Sequence, residues 1–360
     1  MSRQLMKGNE AIAEAAVRVG AKYYFGYPIT PQNEVAEYLS KRLPEVDGVF
    51  VQAESEIAAS NMLFGAAASG LPVFTTSSSP GISLMQEAIS YMAGAHLPGV
   101  IVNIVRGGPG LGGILPAQSD YFQSTKGGGH GDYRLPVFAP ASIQEAVDLM
   151  QLAFRIAQKY RCPVMILADG MIGQMMEPVE FPETAEEGVP AAKEWITDGA
   201  KARSSRIIKS LYLDPNLLEK NNQKLADKYA RMEKEEIRYE EYVLDDRTEL
   251  VVVAYGTMAR ICKTAVDDLK EEGVRAGLFR PITLFPFPLA QIGNWAARPS
   301  VKCFLTVEMS MGQMVEDVHR AVLGRKPVDF FGRCGGIVPT PEEVKRQIRD
   351  RLKTSERKRP

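Results

Sequence analysis

Short apolar runs alternate with mixed or alanine-rich stretches along the first half of the chain. Residues 21–26 are aromatic and end in glycine, and residues 49–51, 73–74, 100–105 and 163–168 are rich in Val, Ile, Leu and Phe. Each is short, bounded by turn residues and apolar at successive positions, the pattern of a strand buried on both faces. Between them lie helix-like stretches, among them an alanine-rich one from Glu54 to about Ser69 and another from Leu84. Strand and helix in alternation predict a parallel sheet covered by helices on both faces. A second series follows the same rule: strands over 250–255, 275–280 and 303–308, with a helix over about 259–272. The expected fold class is therefore α/β with two parallel-sheet domains, at residues 1–185 and 248–360. The stretch between them, 186–247, reads as a charged linker. Within it Leu218, Leu225, Tyr229, Met232, Tyr239 and Tyr242 recur at helical spacing, which predicts one long amphipathic helix whose stripe packs on its own domain or on a partner.

Composition narrows the picture. At 360 residues the chain holds about two ordinary domains. The formal net charge of −1 leaves no electrostatic footprint for nucleic acid, and the basic tail after Lys353 is too short to supply one. Cys162, Cys262, Cys303 and Cys334 are scattered singly, without the paired spacing of an iron–sulfur or zinc site. No metal site is expected on this chain. Isolated thiols without a signal-peptide pattern predict a reducing, cytoplasmic setting, and no apolar run reaches the ~20 residues a membrane span needs.

Two segments at predicted strand ends carry the most chemistry: Tyr27-Pro28-Ile29-Thr30-Pro31 and Gln52-Ala53-Glu54-Ser55-Glu56. In open parallel sheets, ligands bind at the carboxyl ends of strands. The X-Pro steps hold Tyr27 and Thr30 out of the helical region, so Thr30 either presents its hydroxyl from a stiff loop or caps a helix starting near Pro31. Glu54 and Glu56 open a helix with hardly any polar cover, so one of them is expected to face a crevice of low dielectric, with a raised pKa. Arg106 ends the strongest strand and can present its fork to a carboxylate at the same edge, or serve as a surface or interface arginine paired with a local acid. The Ser77-Ser78-Ser79 loop can hold an anion or cap the following helix. His130, in a glycine loop, can donate to a substrate or bond the backbone. Gly108-Pro109-Gly110-Leu111-Gly112-Gly113 has the spacing of a dinucleotide fingerprint, but prolines bracket it and no helix opens at once, so a nicotinamide site is rejected. Asp198-Gly199 with Asn221-Asn222 imitates a metal–diphosphate motif without the strand that should precede it.

These motifs together resemble the α subunit of the 2-oxoacid:ferredoxin oxidoreductases, most closely the branched-chain, 2-oxoisovalerate type. The matching stretches are Gly8-Asn9-Glu10-Ala11, residues 27–31, Glu54-Ser55-Glu56, residues 77–87, Arg106-Gly107-Gly108-Pro109-Gly110 and Lys126-Gly127-Gly128-Gly129-His130-Gly131-Asp132-Tyr133. The resemblance implies a pyrimidine-binding domain for thiamine pyrophosphate, followed by a domain like the C-terminal one of transketolase. It implies that Glu56 contacts the aminopyrimidine ring, where a carboxylate favours the tautomer that takes the proton from the thiazolium C2. Tyr27, Pro28, Ile29 and Ser79 would line the cofactor, and Thr30, Arg106 and His130 the substrate. The implied partners are a β subunit carrying the diphosphate and Mg2+ site, a γ subunit, a small ferredoxin-like iron–sulfur subunit, external ferredoxin and coenzyme A. The implied reaction converts a 2-oxoacid to acyl-CoA and carbon dioxide with reduction of ferredoxin. A 2-oxoglutarate-specific complex, a lipoamide-linked thiamine enzyme and a non-catalytic scaffold are the alternatives.

Overall fold

The computed structural model describes residues 3–181 and 194–357. A seven-stranded sheet forms the first layer system, in the order Thr283–Phe285, Val137–Phe138, Pro163–Asp169, Gly99–Val105, Val73–Ser77, Tyr23–Gly26, Val49–Gln52. All neighbours run parallel except Thr283–Phe285, which is antiparallel to Val137–Phe138. The central strands Gly99–Val105 and Pro163–Asp169 are buried along their whole length, which is why their sequences are continuously apolar.

Chain order around Tyr23–Gly26 has a specific consequence. The next strand, Val49–Gln52, lies on one side of it, and the one after, Val73–Ser77, on the other. The connections diverge there, so a crevice opens outside the carboxyl ends of Tyr23–Gly26 and Val73–Ser77, the switch point at which open α/β sheets bind ligands.

The second sheet has five strands, ordered Val328–Gly332, Cys303–Glu308, Leu250–Val253, Ala276–Pro281, Tyr239–Tyr242, the last of them antiparallel. Three edge strands of these sheets were not expected from sequence: Tyr239–Tyr242, Thr283–Phe285 and Val328–Gly332. The second of these leaves its own sheet to extend the first, which stitches the two halves together. Arg280 adds an ionic stitch, donating to both oxygens of Glu145 at 2.7 Å and to Glu240 at 2.7 Å.

The amphipathic helix is shorter than its stripe suggested. It spans Pro215–Glu235 and buries Leu225, Tyr229 and Met232 in the first core, while Leu218 stays exposed and Tyr239 and Tyr242 belong to the edge strand. Of the two expected packings, the stripe takes its own domain. Helix and strand share apolar spacing over a few residues, which is how the stripe overran the turn at Glu236.

Candidate functional site

Tyr23–Gly26 delivers the loop that carries Tyr27, Pro28, Ile29 and Thr30; Tyr27, Pro28 and Thr30 are exposed and Ile29 is half-buried. Thr30 does not cap a helix, because the following helix is Asn33–Arg42 with Gln32 before it. The Thr30 hydroxyl receives only a long bond from Asn33 Nδ2, at 3.4 Å. The loop is held from beneath: Asn9 Nδ2 and Gln174 Nε2 donate to the Pro31 carbonyl at 2.8 and 2.9 Å. The same two amides also donate to Glu34 Oε2. Asn9, fully buried on an alanine-rich helix, belongs to a matching stretch without an assigned role, and a polar side chain on the core face was its signal.

Val49–Gln52 delivers Glu54 and Glu56, and the structure separates them: Glu54 is exposed and Glu56 is 6% exposed. Ser55 caps the helix Glu56–Ala68 by accepting from Ala58 N at 3.2 Å, which fixes Glu56 at its first position. The carboxylate faces Gly81 so closely that a Cβ there would lie 2.7 Å from Glu56 Oε1 and 2.1 Å from Ser77 Oγ.

Val73–Ser77 delivers Ser79, which has φ +25° and ψ −80°, a strained conformation for a residue with a side chain. Its hydroxyl caps nothing. It accepts from Arg106 N at 3.0 Å, and its own N–H donates to Asn103 Oδ1 at 3.1 Å. Asn103 in turn donates to Asp120 Oδ2 at 2.9 Å, and burial pushes the Asp120 carboxyl above its ordinary value. The helix opens at Pro80, four residues before the expected start.

Gly99–Val105 delivers Arg106, 7% exposed. Its Nη1 donates to the Thr30 carbonyl at 2.9 Å and its Nη2 to the Leu111 carbonyl at 3.0 Å, while Nε is buried without a hydrogen-bond partner. This is no surface cation: the fork is braced by two loops and keeps unspent donors. The glycine loop beyond it doubles back. Gly107 N bonds Leu115 O, and Gly113 N bonds Gly107 O. Gly112, at φ +62°, sits so close to the Gly107 carbonyl that a Cβ would lie 1.9 Å from it. The next helix begins only at Tyr121, so the loop is not a pyrophosphate turn.

Thr30, Ser79, Arg106 and Glu56 thus converge on one sheet edge. His130 does not join them in this chain. Its backbone carbonyl accepts from Ser90 Oγ at 2.7 Å and its ring meets Tyr91 edge-on, two to three turns along the helix that starts beside Ser79. Unpartnered buried hydroxyls at Thr75, Ser77 and Ser78 mark the crevice floor. Beside Thr30 opens a cavity of about 440 Å³, walled by Ile114, Leu115, Pro116 and Met171 with Glu34 and Gln174 at its polar end. Met171 was not foreseen; it is set at the end of Pro163–Asp169 by Asp169, whose Oδ1 accepts from Met171 N at 2.9 Å.

The second domain leans on the same region without entering the crevice. Gln118 exchanges bonds with both Tyr255 and Met309, and Gln313 donates to Ser119 O at 2.7 Å. Gly256 and Thr257, between the expected strand over 250–255 and the helix expected from about 259, form the first turn of the helix Gly256–Glu271. Asp198 pairs with Arg203, and Asn221 bonds His96 and the Gly94 carbonyl, so the apparent metal–diphosphate motif is spent on structure. Among the described residues there is no cluster of three or more His, Cys, Asp or Glu able to hold a metal, and no helix long and apolar enough to cross a membrane.

Two family descriptions match nearly the whole chain: pyruvate flavodoxin/ferredoxin oxidoreductase, thiamine diphosphate-binding, over residues 14–244, and pyruvate:ferredoxin oxidoreductase core domain II over 248–344. The chain is 49% identical to ketoisovalerate oxidoreductase subunit VorB of Methanothermobacter marburgensis, over 97% of this chain and 98% of that one. It is 35% identical to 2-oxoglutarate synthase subunit KorA of Methanothermobacter thermautotrophicus, over 95% and 97%. The solved 2-oxoglutarate:ferredoxin oxidoreductase from Magnetococcus marinus superposes with a TM-score of 0.89 at 25% identity, over 98% of this chain; the chain spans 65% of that one. A split-gene transketolase shares the fold, with a TM-score of 0.56 at 14% identity over 97% of this chain and 98% of that one.

Proposed function

Because the chain belongs to the pyruvate flavodoxin/ferredoxin oxidoreductase family, we propose that it is the pyrimidine-side subunit of a 2-oxoacid:ferredoxin oxidoreductase acting on 2-oxoisovalerate. The observation that carries the reading is Glu56: a carboxylate closed off from water at the first turn of a helix, at the mouth of the sheet's switch point, on the same sheet edge as an arginine fork with unused donors.

The crevice fits thiamine diphosphate. Gly81 leaves bare backbone against Glu56 where any side chain would intrude, and buried hydroxyls nearby lack partners. Glu56 would hold the ring at pyrimidine N1′ and keep a proton there, with Tyr27, Pro28, Ile29 and Ser79 bordering it. When bound, the cofactor supplies the carbon that adds to the keto group and the sink for the electrons left by decarboxylation. Arg106 would orient the substrate carboxylate, and the exposed Thr30 hydroxyl would bond its keto or carboxylate oxygen. The diphosphate and Mg2+ belong in this reading to a β subunit, and electrons pass to iron–sulfur centres on partner chains, including a small ferredoxin-like subunit, and on to ferredoxin. A γ subunit completes the assembly, and coenzyme A takes the acyl group. The reaction sits in the cytoplasm. His130 has no place among these groups within this chain.

The 2-oxoglutarate-specific reading is favoured by the relatives bearing that name. Against it stands the cavity beside Thr30, whose walls are apolar and whose charged lining residue is an anion. Substitution Glu56→Gln, assayed in the assembled complex with a 2-oxoacid, coenzyme A and ferredoxin, is expected to lower kcat on the order of a hundred- to ten-thousand-fold with assembly intact. Unchanged turnover would show a scaffold and overturn the proposal.

A further inference from the structure

We infer that Glu34 is a specificity-determining residue: its carboxylate at the polar end of the cavity beside Thr30 rejects 2-oxoacids whose side chain ends in a second anion, leaving the cavity to an uncharged branched aliphatic group. The inference rests on the reading of Thr30 and Arg106 as the end that takes the 2-oxo carboxylate.

The argument is one of placement and charge. Thr30 belongs both to the loop that braces Arg106 and to the lining of the cavity, so a substrate whose carboxylate meets Arg106 extends its side chain past Thr30 into this space. Ile114, Leu115 and Pro116 come from the doubled-back loop, and the bond from Gly107 N to Leu115 O, with the antiparallel pairing of Arg106 and Pro116, holds that wall against the arginine strand. Met171 closes the opposite side from the end of the neighbouring strand. Among the described residues lining the cavity, none is a cation, and Glu34 alone carries charge.

Glu34 is kept ionised. Burial works against its charge, but the backbone, Gln174 and Asn9 donate to the carboxylate and Lys7 lies 3.6 Å from Oε1, with the net result below its ordinary value. Lys7 stands outside the cavity and offsets only part of the field. A distal carboxylate meeting Glu34 across several ångströms at an effective dielectric near 20 is disfavoured roughly ten- to a hundredfold, whereas an isopropyl group loses nothing and gains the apolar walls.

The test uses the assembled complex and compares kcat/KM for 2-oxoglutarate with that for 2-oxoisovalerate. Glu34→Gln retains an oxygen that can accept from Asn9 and Gln174; it is expected to raise the ratio about tenfold. Lys7→Met, a change at a half-exposed side chain that deepens the negative field, is expected to lower it. Ratios within twofold of wild type in both variants would overturn the inference. The underlying functional reading fails separately: a wild-type complex that turns over neither acid, or a Glu56→Gln variant with full turnover, removes it, whereas loss of activity in Glu56→Gln with unmoved ratios removes the role of Glu34 alone.

Discussion

Gly81 is the position at which the proposed geometry is most exposed to a single methyl group. A Cβ at residue 81 would lie 2.7 Å from Glu56 Oε1, 3.1 Å from Glu56 Cγ and 2.1 Å from Ser77 Oγ. Ordinary contact begins at 3.4 Å, so in Gly81→Ala the carboxylate must retreat by about 0.7 Å and the serine hydroxyl must rotate away. The hydroxyl moves easily, having no partner to give up. The glutamate yields only at its carboxylate end, because its helix is pinned by the Ser55 cap and by Ala59 and Leu63 in the core beneath. Overpacking of this kind costs about 1–3 kcal/mol, which a domain of this size tolerates, while a displacement near 1 Å at a reacting group costs on the order of a hundredfold in rate. The variant should therefore fold, assemble and lose between ten- and a hundredfold in kcat, read as ferredoxin reduction by the assembled complex beside its thermal unfolding. Ser77→Ala combined with Gly81→Ala should recover stability but not rate, since the contact with Glu56 remains. Full kcat in a folded Gly81→Ala complex, or full rescue by Ser77→Ala, would refute the placement of Glu56 against the cofactor ring.

Arg106→Lys keeps the charge but loses the fork that bridges the Thr30 and Leu111 carbonyls; KM for the 2-oxoacid should rise at least tenfold, and an unchanged KM in steady-state assays would remove Arg106 from the substrate. Arg280→Met leaves Glu145 and Glu240 without their shared cation between the two sheets, and should cost about 3–5 kcal/mol in urea unfolding; a loss under 1 kcal/mol would mean the stitch by Thr283–Phe285 suffices alone. Burial first, then the Lys228 ammonium 2.8 Å away, hold His96 down to about 4 from an ordinary 6.5. The unfolded chain then binds more protons than the folded one between those values, so stability should fall as pH drops from 6.5 toward 4. Urea midpoints across that range should show the fall in wild type and a shallower one in Lys228→Met; identical slopes would exclude the pair as its source.

The layered fold was legible because buried parallel strands are apolar without interruption, and Gly99–Val105 and Pro163–Asp169 announce themselves that way. Some edge strands announce nothing. Tyr239–Tyr242 has glutamates between its tyrosines, and Thr283–Phe285 is three residues long, so each exists only because a distant strand offers it a free edge. In the site, Arg106 could be found because it ends a strong strand, and Glu56 because it opens an alanine-rich helix with hardly any polar cover. Glu34, Gln174 and Met171 could not, since their relevance comes from three-dimensional meeting at the cavity beside Thr30, and nothing local to Met171 distinguishes it from a core methionine. The helical stripe past Glu235 failed for the same reason in reverse: local spacing persisted where the chain had already turned.

Burial at the crevice is uneven, and this constrains how the chain can act. Glu56 and Arg106 are sheltered, yet Leu111, Ile114 and Leu115 at the rim are 83%, 59% and 56% exposed, as is Ile337 at 51%, in the loop whose Gly336 touches Leu115. Large apolar side chains grouped at the mouth of a site gain stability only when another surface covers them. An arginine fork discriminates strongly only where water is excluded, so in the proposed assembly the partner that brings the diphosphate also dries the site this chain has begun to build. Isolated, the chain should bind a 2-oxoacid weakly and with strong salt dependence, and in the complex tightly and with little; equal salt sensitivity of substrate affinity in both states, measured by calorimetry, would mean that the rim stays wet and that the partner contributes cofactor contacts alone.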